Sequence, residues 1–102
     1  MNEVNKSFII NVKDLSFKSE QHVLDLVRFL SEALPQINLN RNGNDIDVEM
    51  PNKLSKRALR LRIKKFLHKK GLYNDFRPIA YKTADAEGYI VKEKKIIELS
   101  YY

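Results

Sequence analysis

Residues 54–72, LSKRALRLRIKKFLHKKGL, constrain the fold more than any other stretch, because they read as a helix with both ends marked and one side apolar. With Ser55 as N-cap, Leu54 and Leu59 fall at the N′ and N4 positions that make a hydrophobic staple. With Gly71 as the left-handed residue after the helix, Leu72 lies against Leu67 in the hydrophobic contact of a Schellman motif. A helix over about residues 56–70 follows. At roughly 100° per residue, Leu59, Ile63, Phe66 and Leu67 share one face, and that face needs a second layer to cover it.

The rest of the chain supplies that layer. Residues 1–6 are polar and expected to fray, and over 7–12 Phe8, Ile10 and Val12 alternate with Ile9 and Asn11 as in a strand. Ser19 then reads as the N-cap of a first helix with Glu20 and Gln21 in its opening turn. Its apolar positions Val23, Val27, Leu30 and Leu34 recur at helical spacing, Leu24 and Leu26 widen the stripe, and Pro35 ends it. Ile37 and Leu39, then Ile46, Val48 and Met50, alternate on either side of Asn42-Gly43, the dipeptide best suited to a type I′ hairpin turn. Beyond the basic helix, Tyr73-Asn74-Asp75 reads as a turn and 76–83 as a strand, with Pro78 tolerated only at its start or at a sheet edge. Residues 85–88 read as a loop, and 89–91 and 96–102 as β-rich segments around the charged run 92–95, either two short strands or one bent one. The order β-α-β-β-α-β-β predicts an α+β fold, a largely antiparallel sheet with two helices packed on one face. With 102 residues, 43% of them hydrophobic, the chain can bury one core, and no repeat or linker divides the domain 1–102.

Charge is distributed unevenly over this scaffold. Residues 53–77 hold ten Lys or Arg and one acid, Asp75, a net of +9; the whole chain carries +6, which leaves −3 for the remainder. On the basic helix Arg57, Arg60, Lys64 and His68 form one row, Arg62, Lys65 and Lys69 a second, and the two flank Ala58 and Leu61. A solvated helix face usually mixes signs, gaining about 0.2–0.5 kcal/mol per i,i+4 pair, whereas this helix contains no acid. Lys56 and Arg57 also occupy the first turn, where the macrodipole disfavours cations by about 0.3–1 kcal/mol each. Polyanionic phosphate relieves both penalties, and the free N–H groups of the helix start add to the attraction.

Other chemistries are poorly represented. The absence of Cys rules out disulfides and thiolate metal sites and fits a reducing compartment. No apolar run approaches the roughly 20 residues that span a bilayer, and nothing resembles a signal peptide, so a soluble intracellular protein is expected. His22 and His68 lack metal-ligand spacing and read as surface or boundary residues. Asp45, Asp47 and Glu49 alternate with apolar residues, as the exposed side of a half-buried strand does. Without a Gly-rich phosphate loop, nucleophile elbow or catalytic pair, no enzyme activity, cofactor, metal or small-molecule substrate is expected. Tyr73, Tyr81, Tyr89, Tyr101 and Tyr102 read as sheet packing residues, with base stacking as the alternative role.

The string Ser55-Lys56-Arg57-x-Leu59-Arg60, followed by Lys64-Lys65-Phe66-Leu67 and then Lys69, Leu72 and Arg77, resembles the signature of a ribosomal family. That family is the eukaryote-specific large-subunit ribosomal protein numbered twenty-two, distinct from the universal protein that shares the number. The similarity spans about 51–80 and extends to 97–102; upstream it rests on element order and the acid-bearing first helix. It implies a small α/β domain without catalytic role, a structural constituent of the large (60S) subunit that binds structured ribosomal RNA beside neighbouring large-subunit proteins. A cytoplasmic ribosomal location with a nucleolar assembly stage goes with it. The resemblance carries the RNA contacts onto Lys53, Lys56, Arg57, Arg60, Lys64, Lys65, Lys69 and Arg77. Leu54 and Ala58 stand where the family favours aromatic residues and Arg62 where it favours an apolar one. The basic N-terminal extension and acidic C-terminal tail common in the family are not seen, and the loop over 83–96 is longer. The competing reading is a basic interaction module docking on an anionic membrane or an acidic protein partner, opposed by an apolar helix face committed to the core. A DNA-binding reading lacks helix-turn-helix spacing.

Overall fold

The computed structural model describes residues 5–94, so the closing strand expected over 96–102 lies outside the described residues. The chain runs β1 (Asn5–Asn11), α1 (Lys13–Lys18), α2 (Glu20–Ala33), β2 (Asn38–Asn42), β3 (Asp45–Pro51), α3 (Lys56–Lys69), β4 (Phe76–Lys82) and β5 (Glu87–Glu93). The strands form one sheet in the order β2-β3-β1-β5-β4. Two hairpins, β2-β3 and β4-β5, flank β1; every pairing is antiparallel except β1 with β5. This is the expected α+β class.

Alternation decides which side of the sheet the helices cover. Phe8 and Ile10 of β1, Ile46, Val48 and Met50 of β3, and Tyr89 and Val91 of β5 are buried in one cluster. Val23, Leu26 and Leu30 of α2 and Leu59, Ile63, Phe66 and Leu67 of α3 belong to it as well. The intervening Asp47 and Glu49 point away and are exposed; Asp47 accepts from the Asn42 amide at 2.7 Å and Asp45 from Asn11 at 3.0 Å.

The ends of α3 are built as the sequence indicates. Ser55 Oγ accepts the Ala58 N–H at 3.2 Å, an N-cap that contributes about 1 kcal/mol. Gly71 has φ +72°; its N–H donates to His68 O at 3.1 Å, and the Leu72 N–H donates to Leu67 O at 2.8 Å. These are the two hydrogen bonds of a Schellman motif, and the buried Leu72 and Leu67 supply its apolar contact. Leu54 packs half-buried against the core that holds Leu59.

Several expectations are corrected. Two helices were expected and three are present; α1 has a single buried residue, Leu15, too little apolar periodicity to mark it in the sequence. Ser19 stands at the N-cap of α2, but its side chain makes no capping bond; it ends α1 and turns the chain through an extended backbone. Leu24 is 51% exposed, so the stripe on α2 is narrower than read. In the hairpin Asn42 pairs with Asp45, which leaves Gly43-Asn44 as the two-residue loop. Gly43 alone has positive φ, +61°, the arrangement of a type II′ turn, whereas type I′ needs positive φ at both central residues. Arg41 Nε donates to Gly43 O at 2.9 Å and helps hold this register.

The last hairpin also differs. The loop read over 85–88 lies two residues earlier, over 83–86, closed by Thr83, whose Oγ1 accepts from the N–H of Asp85 and Ala86. Glu87, Gly88, Lys92 and Glu93 all belong to β5. Pairing with β4 along the whole of Glu87–Glu93 overrides the low β-propensity of Lys and Glu. Gly88 marks a close approach of strands: a Cβ there would run into the backbone of Ile9. Pro78 is in β4, an edge strand, as it must be.

Candidate nucleic-acid interface

The cations between 53 and 77 do not form one uniform surface. Arg60 and Lys64 from α3, Arg77 from β4 and Lys94 just past β5 line a groove of about 400 Å³, with Tyr73, Pro78 and Ile79 as its remaining walls. No acid lines it. Lys94 is fixed there: its Nζ donates to Tyr73 O at 2.9 Å and lies 4.7 Å from the Tyr73 ring centroid, while its N–H donates to Asp75 O at 2.8 Å. The His68 ring stacks on Tyr73 with centroids 3.8 Å apart, so the turn after α3 is braced from the helix and from β5 together.

A second depression of about 480 Å³ lies against Ala58, Leu61, Arg62, Lys65 and His68. Leu61 is 49% exposed at its floor. Arg62 is half-exposed at this rim rather than in the core.

Two of the eight sequence-predicted contacts are engaged inside the fold. Lys56 Nζ lies 3.1 Å from Glu87 Oε2 and 5.1 Å from the Tyr89 ring centroid; the Tyr89 hydroxyl in turn donates to Lys56 O at 3.1 Å. Burial raises the Tyr89 pKa, which keeps the phenol a hydrogen-bond donor. Lys56 thus ties the start of α3 to β5. We expect Lys56→Met to destabilise the fold by about 1 kcal/mol in urea unfolding, while lowering RNA affinity less than Lys64→Met does. Lys69 lies 5.7 Å over the Phe29 ring of α2, and next to it Lys70 pairs with Asp25 at 3.1 Å. Hydrogen bonds from Gln21 and from Lys70 hold the Asp25 carboxyl below its ordinary pKa. Lys69 and Lys70 therefore serve the α2–α3 contact, where Phe29 and Phe66 pack at 5.7 Å.

The structure brings together Arg60, Lys64 and Arg77, sets Lys65 on the neighbouring depression, and leaves Lys53 and Arg57 exposed at the start of α3. Among the described residues, only Lys56 and Lys70 of the Lys and Arg side chains in this stretch have an acidic partner. Sequence reasoning missed Lys94, whose only signal was the charged run 92–95; it reaches the groove because β5 extends to Glu93 and places the next residue there. Among the described residues no three or more His, Cys, Asp or Glu are grouped to hold a metal ion, and no helix is long and apolar enough to cross a membrane.

Fold and site together define an α+β domain that presents a cationic groove beside its second long helix, lined by no acid among the described residues. No family model and no curated protein matches the chain.

Proposed function

We propose that this protein is a structural RNA-binding component of the large ribosomal subunit, holding structured ribosomal RNA by phosphate contacts from α3 and the groove beside it. The observation that carries the RNA reading is the convergence of Arg60, Lys64, Arg77 and Lys94, drawn from separate elements, on a groove that no acid lines among the described residues. Such an arrangement keeps like charges close together, at a cost that an anionic backbone offsets. Duplex RNA offers side chains little base information in its deep major groove, so contacts of this kind read backbone and shape. The ribosomal assignment rests on the resemblance of residues 55–77, and residence in cytoplasmic ribosomes after nucleolar assembly, next to other large-subunit proteins, follows from it. The reading assigns the chain no catalytic step. A membrane partner is disfavoured because Leu59, Ile63, Phe66 and Leu67 of α3 are at most 1% exposed, which leaves the helix no apolar stripe for a bilayer.

Affinity for an rRNA stem-loop measured against salt tests the reading. With about four groove contacts, log K should fall linearly with log salt at a slope of roughly −3 to −4. A flat dependence would overturn it. Cosedimentation with large subunits across the same salt series tests the ribosomal part separately.

A further inference from the structure

Phe17 is the most exposed large apolar side chain of the described residues, at 93%, and neither its helix nor its role is accounted for by the basic groove alone. It projects from α1, where Leu15 is the buried anchor and Lys13 and Lys18 are exposed near it. The helix is tied to the end of β5: Asp14 Oδ2 accepts the Glu93 N–H at 3.0 Å. The next residue, Lys94, is the cation that enters the groove and covers Tyr73. Asp14 and Phe17 are three residues apart and so lie on one side of α1. The end of β5 therefore carries a cationic groove on one flank and an aromatic ring between lysines on the other.

Resting on the RNA reading above, we infer that Phe17 is a stacking platform for an unpaired nucleobase of the RNA whose backbone lies along Arg60, Lys64, Arg77 and Lys94. A paired base keeps its faces inside the helix, and only a bulged or looped one can be offered to a side chain. A ring 93% exposed has both faces free of the described residues, and stacking one base on it is sequence-tolerant because every base has a π-face. Lys13 and Lys18 would then meet the phosphates on either side of that base. The pairing of ring and cations suits a nucleic acid better than a second protein, which would have to cover lysines and ring together.

The experiment compares two RNAs of equal length, a perfect hairpin and the same hairpin with one bulged 2-aminopurine. Both are bound to the full chain and to Phe17→Ala, Phe17→Trp and Arg60→Glu/Lys64→Glu. Phe17→Ala should weaken binding of the bulged RNA by about 5- to 150-fold, the range of one lost base–aromatic stack. It should leave the perfect hairpin and the thermal unfolding midpoint unchanged, and Phe17→Trp should restore both affinity and the quenching of 2-aminopurine. Equal affinity of Phe17→Ala and the parent for the bulged RNA overturns the stacking role, as does an equal loss on both RNAs. A loss of binding to phosphatidylserine vesicles on Phe17→Ala, with RNA binding intact, overturns it in favour of a membrane contact. If Arg60→Glu/Lys64→Glu binds both RNAs like the parent, the groove reading itself fails, an outcome distinct from failure at Phe17.

Discussion

Reversing two charges in the groove, Arg60→Glu with Lys64→Glu, is expected to lower affinity for structured RNA by about 10²- to 10⁴-fold, since each charge-assisted contact contributes about 1.5–3 kcal/mol. The salt slope should become shallower by about two, because two cations no longer displace counterions. Thermal unfolding should move little: Arg60 is exposed, Lys64 half-exposed, and neither has an acidic partner among the described residues. Removing repulsion with Arg77 and Lys94 can even raise stability slightly. Anisotropy titrations alongside melting curves separate the two effects. A collapse of folding together with binding would show that these side chains hold the fold rather than a ligand.

The second large effect is on stability. Gly88→Ala is expected to cost about 3 kcal/mol or more, at the upper end of overpacking effects, because the added Cβ meets the backbone C, N and O of Ile9. Backbone cannot swing aside as the end of a side chain can. The clash falls where β1 and β5 make the sheet's parallel pairing, Ile9 beside Gly88, so relief requires the two hairpins to part. Against a typical total stability of about 5–15 kcal/mol, that is a large fraction. Gly43→Ala is the control: nothing lies within 4 Å of its Cβ, and only the positive φ opposes it, at about 1–2 kcal/mol. Urea midpoints for both variants check the ordering, and equal losses would mean that β1 and β5 are not held that closely.

These two expectations draw on different kinds of information. The helix carrying Arg60 and Lys64 is legible from residue spacing, since Ser55, Gly71, Leu72 and the Leu59-Ile63-Phe66-Leu67 stripe act within a few residues of one another. Gly88 instead reads as part of a loop, because a lone Gly between Glu87 and Tyr89 has the same local signature in a turn and in a strand approached by another backbone. The hairpin shows the intermediate case. Alternation on either side of Asn42-Gly43 specified two paired strands, but the turn moved by one residue, since side-chain bonds from Asn42 to Asp47 and from Arg41 to Gly43 favour the neighbouring register.

The candidate site divides in the same way. A charge count could locate the excess of cations but could not say which would be neutralised. Glu87, distant in sequence, takes up Lys56, and Asp25 on α2 takes up Lys70. Lys94 joins Arg60 and Lys64 only because β5 runs on beside β4 to Glu93 and delivers it to the turn after α3.

By itself, then, the sequence determined the α+β class, the two capped or punctuated long helices with their apolar faces, and the concentration of positive charge in one of them. Each of these depends on periodicity, capping and composition, which act over one or two turns of chain. Only the tertiary structure decided the parallel β1–β5 pairing, the short helix that presents Phe17, and the separation of free from partnered cations. Those depend on which distant segments meet, and Coulomb and packing energies between them are set by distances that no local pattern contains.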